Sequence, residues 1–230
     1  MFNLIKLELK RMNIKSIALS FLLINAAIIG MLMVLGIEPE AAAEFLANAE
    51  DIRILIELFV IAAFIIYASV LLSQIIIEEF KNKTISFLFM YPISRKKILL
   101  VKLIIVSVLT FFFVTMSVMI VYYSFAIFNR MYMFTPIELG FTLPSDYLVH
   151  LMVLAVACAG LSLIPLFFGM IKYSVPATII SSIVIVALLS SAVDTSGATL
   201  FSITAVPVLL GIFGFIAAYL VIGQAVKKDI

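Results

Sequence analysis

Residues 98–128 read ILLVKLIIVSVLTFFFVTMSVMIVYYSFAIF, a run from Ile98 to Phe128 whose one charged side chain is Lys102. A helix needs about 20 mostly apolar residues to cross the hydrocarbon layer of a bilayer, and this run exceeds that length. Five more runs of the same character stand around it, at about 17–36, 54–77, 147–170, 174–193 and 200–223. Of the 230 residues, 65% are hydrophobic and only 12% charged, and mean hydropathy is +1.31. Ordinary soluble domains hold about 45–50% apolar and about 25% charged residues, so the surplus apolar surface has nowhere to go but lipid. The predicted fold class is all-α: a polytopic membrane protein with six transmembrane helices in a single transmembrane domain, 1–230. Little chain is left for a soluble catalytic domain. A net charge of +2 is too small to suggest nucleic acid, and the single Cys158 excludes a disulfide within one chain.

Orientation follows from the basic residues, which concentrate on the cytoplasmic side of a membrane protein. Lys6, Lys10, Arg11, Lys15, Lys81, Lys83, Arg95, Lys96, Lys97, Lys102, Lys172, Lys227 and Lys228 fall on one side; Arg53 and Arg130 fall on the other. The second side carries Glu38, Glu40, Glu44, Glu50, Asp51, Glu138, Asp146 and Asp194 instead. Thirteen against two places both termini in the cytoplasm of a multi-pass protein of the cell membrane. The first run exceeds the roughly 7–15 residues of a signal-peptide core, so it reads as an uncleaved span despite Ala41-Ala42-Ala43 after it. Trp is absent, which leaves interfacial anchoring to Tyr122, Tyr123 and Tyr147 outside and Tyr91 and Tyr173 inside. Residues 1–15 read as an interfacial helix: Phe2, Ile5, Leu9 and Met12 share a stripe, while Lys6, Lys10 and Asn13 point elsewhere.

Ionisable groups inside a membrane are costly and usually mark ion or proton pathways, and the runs hold almost none. Glu57, one turn from Arg53, is expected to pair with it at i,i+4. His150, one turn after Asp146, reads as an interfacial side chain. Uncharged polar residues are more plentiful, and most are expected to bond between helices. Asn25, Thr115 and Ser181 are candidates for a substrate path. Pro165 and Pro207 are expected to kink their spans, and Gly211 and Gly214 to allow close helix approach. A transporter built this way lacks a coupling group for protons, and it also lacks the G-x-x-x-x-G-K-[ST] phosphate loop for ATP.

Between the second and third runs lies a cytoplasmic coupling segment, 78–97: Glu78-Glu79-Phe80-Lys81-Asn82-Lys83-Thr84-Ile85-Ser86-Phe87-Leu88-Phe89-Met90-Tyr91-Pro92-Ile93-Ser94-Arg95-Lys96-Lys97. Thr84 can cap a short helix of about two turns that Pro92 must end, and Ser94 then caps the third span. A short helix bearing Phe87, Leu88 and Tyr91 needs something to bury them. Lipid interface, the underside of the bundle and a cytosolic subunit all satisfy that need.

Glu79, Thr84, Leu88 and the run Pro92-Ile93-Ser94-Arg95, followed by Ile98 and Lys102, resemble the signature of ABC-2-type transporter permeases. In that family a glutamate, a Gly-Thr pair and P-[IV]-S-R-x-x-[IL]-x-x-x-K recur between the second and third of six spans. Lys83 stands where the family usually has Gly. The loop around Asp194 to Thr199 leaves little room for the re-entrant hairpin of polysaccharide and sterol exporters. The resemblance is therefore to the compact bacterial branch, with its bacitracin-resistance and phenol-soluble-modulin exporter permeases. It implies an exporter of amphipathic peptides, toxins or small hydrophobic molecules, built from two permease chains, alike or different, in membrane lipid. Cytosolic ABC ATPase subunits would dock below and carry ATP and Mg; this chain would hold no cofactor and no metal. The resemblance implies an ATPase-coupling interface of Glu79, Thr84, Phe87, Leu88, Tyr91, Pro92, Arg95 and Lys96.

Two other classes compete. One is a regulatory or scaffolding membrane protein without transport. The other is an enzyme, since Glu78-Glu79 before Lys83 comes near the E-E-x-x-x-R motif of CAAX-type intramembrane proteases. That chemistry needs at least two histidines beside its carboxylates, and this chain has one. Neither H-E-x-x-H for zinc nor a G-x-S-x-G serine elbow occurs, so a catalytic role is not expected.

Overall fold

The computed structural model describes residues 2–38, 46, 48–82, 95–132, 144–191 and 204–227, and among them the only regular structure is helical. A short first helix, α1 (Phe2–Arg11), is followed after a break at Met12 and Asn13 by α2 (Ile14–Ile37), whose first turn is capped by the Asn13 side chain accepting from Ser16 N–H. Then come α3 (Ala49–Lys81), α4 (Arg95–Tyr132), α5 (Ser145–Leu161), α6 (Ile164–Lys172), α7 (Val175–Leu189) and α8 (Ala205–Lys227). Five helical stretches are long and apolar enough to cross a membrane: α2, α3, α4, α5 with α6, and α8. The run expected at 174–193 appears as α7, a shorter apolar helix of 15 residues. The chain is thus an all-helical, membrane-embedded protein.

Three places shape the packing, and at the first two it follows from the sequence. α8 lies directly on α5 because both are thin there: a Cβ on Gly211 or Gly214 of α8 would strike the α5 backbone at Ala157 or Gly160. Pro165 does break its span, since α5 ends at Leu161 and α6 restarts at Ile164 with the proline in its first turn, where no amide donor is missed. Pro207 does not kink α8; it too sits in the first turn, two residues after Ala205. The third place is α3, which passes through one wide π turn at Ser73–Ile77 before its last α-helical turn, Glu78–Lys81.

Buried apolar side chains form two clusters. One joins α2, α3, α4 and α5 around Ile56, Phe64, Val118 and Leu154. The other joins the far ends of α3 and α8 to the start of α4, around Leu72, Ile77, Leu103 and Ile222. Around this second cluster lie the exposed Lys6, Lys10, Lys15, Lys81, Lys96 and Lys97, so we call it the basic end.

Candidate functional site

At the basic end the last turns of α3 carry Glu79 inward, and it is buried. A lone carboxylate there would be costly, and two cations offset it. Lys102, about two turns into α4, is wholly buried and places Nζ 2.6 Å from Glu79 Oε2. Arg11, the last residue of α1, donates from Nη1 to Glu79 Oε1 at 2.8 Å. Lys102 also donates to the Ile75 carbonyl at 2.9 Å and lies 3.6 Å from Glu8 Oε1. Ile75 belongs to the π turn; π turns disturb the regular carbonyl ladder and recur at functional sites. Beside this network Phe80 stacks on Tyr173 with ring centroids 5.3 Å apart. Tyr173 caps α6 in the left-handed region at φ 50°. One carboxylate therefore ties α1, α3 and α4 together, and the next residue ties in the α6–α7 turn.

A cavity of about 480 Å³ opens against this network. Its polar wall includes Glu8, Arg11, Glu78, Glu79, Asn82 and Lys102, and its apolar wall includes Ile17, Tyr67, Val70, Leu71 and Ile75. The volume is in the range of small-molecule sites.

Of the residues expected at the coupling interface, Glu79 is at the centre of this site, and Lys96 is exposed at the start of α4. Arg95 begins α4. Thr84, Phe87, Leu88, Tyr91 and Pro92 lie outside the described residues. The expected path residues are not brought into one place. Asn25 is buried between α2 and α4, donating to the Phe21 carbonyl and accepting from Ser117. Thr115 and Ser181 return their hydroxyls to carbonyls of their own helices, Phe111 and Thr178.

Sequence reasoning overlooked Glu8 and undervalued Arg11 and Lys102. Lys102 enters the sequence reading as a topological charge and as the last position of the ABC-2-like pattern; its place inside an apolar run, where an ammonium must have a partner, is the signal that it is buried and paired. Glu8 lies three residues after Ile5 and four before Met12, on the apolar stripe of α1 rather than beside it.

The opposite end of α3 holds a second buried carboxylate, Glu57, roughly 33 Å along the helix from Glu79 at 1.5 Å per residue. The expected Arg53–Glu57 pair does not form. Arg53 donates Nε–H to the Ala49 carbonyl and lies 5.4 Å from the centre of the Tyr147 ring on α5. Glu57 Oε2 instead faces His150 Nε2 at 3.4 Å. Glu57 Oε1 and the Tyr147 hydroxyl are buried, and neither completes a hydrogen bond of ordinary geometry.

Comparison with known proteins gives one informative relative. The chain is 38% identical over 228 residues to the uncharacterized protein YcbO of Bacillus subtilis (strain 168), covering 99% of each chain. It belongs to the YcbO family. No protein-family model matches the chain, and no solved structure does.

Proposed function

We propose that this chain is the permease subunit of an ATP-binding-cassette exporter, moving amphipathic peptides, toxins or small hydrophobic molecules out of a bacterial cell. α7 serves as the sixth span, both termini are cytoplasmic, and a second permease chain completes the pathway. ATP and Mg are handled by separate ATPase subunits under the basic end. The observation that carries this reading is the 2.6 Å contact between Glu79 and Lys102. These residues bracket the segment whose pattern resembles the ABC-2 signature, and their contact clamps its two ends. A push on that segment from a docked subunit is then delivered to α3 and α4 together, and through Arg11 to α1. A buried pair resists separation because removing either partner leaves an uncompensated charge, so the clamp moves as a unit.

The energy source tests this. Inside-out vesicles from cells making the chain and its partner should accumulate a fluorescent amphiphile when ATP is supplied. Uptake should persist when the proton gradient is collapsed at constant ATP, and Glu79→Gln should stop it. Uptake that follows the proton gradient at fixed ATP contradicts an ATP-driven permease.

A further inference from the structure

The geometry points to the cavity beside Glu79 as a binding site for the ammonium or guanidinium head of a membrane-resident amphiphile. Its charges are unbalanced: three carboxylates (Glu8, Glu78 and Glu79) face two cations (Arg11 and Lys102). Both cations are already engaged by Glu79, and Lys102 also by the Ile75 carbonyl. What remains uncompensated is negative charge, on Glu8 and Glu78. Glu8 is only 9% exposed, and among the described residues its carboxylate makes no hydrogen bond and one ionic contact, the 3.6 Å approach to Lys102. Glu78 makes neither ion pair nor side-chain hydrogen bond among the described residues, although it lines the same cavity. A nearly buried carboxylate with one long ionic contact is under-compensated, and a ligand cation supplies further donors. An anion would face three carboxylates in the same cavity.

The other wall selects the rest of the molecule. Ile17, Val70 and Leu71 offer apolar surface, and the Tyr67 ring offers a face to a cation that reaches it. A charged head with an aliphatic tail matches both walls; a hydrophilic amine matches one. The head can belong to an aminoethyl phospholipid or to a free cationic amphiphile. The site rests on the cavity alone, so it does not depend on an ATPase partner, and loss of either conclusion leaves the other standing.

The purified full-length chain in detergent micelles, titrated with dodecylammonium and read by native mass spectrometry, tests this. One bound probe is expected on the wild type, with weaker binding of dodecyl phosphate. Glu78→Gln should weaken dodecylammonium about tenfold, as loss of a charge-assisted hydrogen bond does; Glu78 is exposed and has no ion pair among the described residues, so the fold is retained. Glu8→Gln should weaken it at least as much. Displacement by phosphatidylethanolamine assigns the site to a lipid headgroup, and retention of the probe against that lipid assigns it to a free amphiphile. No adduct on the wild type, unchanged binding in Glu78→Gln, or tighter binding of dodecyl phosphate overturns the site.

Discussion

Glu79 and Glu57 are the same residue type, on the same helix, both buried, and their surroundings differ sharply. Glu79 meets a fully buried ammonium and a guanidinium from two other helices. Glu57 meets one imidazole nitrogen at 3.4 Å, with the Tyr147 hydroxyl beside it but out of ordinary hydrogen-bond geometry. The first is an ion network that joins elements; the second is a local contact between α3 and α5. Burial alone does not identify a functional carboxylate: the number of elements that converge on it separates the two.

Breaking the better-compensated end has the largest effect. Lys102→Met leaves Glu79 and Glu8 facing each other with only Arg11, and should cost about 3–5 kcal/mol of stability. Thermal unfolding of the purified chain in detergent reads this, and Glu79→Gln added to Lys102→Met should restore part of the loss. Glu57→Gln should change stability by about 1 kcal/mol or less, because no close cation is lost and one carboxylate oxygen already lacks a hydrogen bond of ordinary geometry. A loss as large as that of Lys102→Met would erase the contrast. Arg11→Gln should have the smallest effect, below about 1 kcal/mol, since its side chain is 55% exposed and solvent screens the pair.

The helical runs were legible because charge punctuates them, and the close approach of α8 was legible because Gly211 and Gly214 recur at helical spacing. Two members of the site, Glu79 and Lys102, were legible as positions of one pattern, but their contact was not. Glu79 stood out through the pattern around it, but its contacts lie 23 and 68 residues away, and no local rule reaches that far. The expected Arg53–Glu57 pair fails for the converse reason. The i,i+4 rule is worth about 0.2–0.5 kcal/mol, and the Tyr147 ring and His150 on the facing helix outweigh it. Nor does the run Ser73-Gln74-Ile75-Ile76-Ile77 announce a π turn; the turn became visible only with Lys102 seated on its carbonyl.

The central claim is that the basic end is worked by a separate ATPase. Its most direct measurement is affinity purification of the tagged chain from its native membrane in mild detergent, followed by an ATP-hydrolysis assay on what elutes. A permease brings down a second, soluble polypeptide with ATPase activity, and Phe87→Ala with Leu88→Ala loses both while the chain itself stays folded in the micelle. A wild-type chain that elutes without such a polypeptide and without hydrolysis, or a double variant that retains its ATPase at wild-type yield, contradicts the claim.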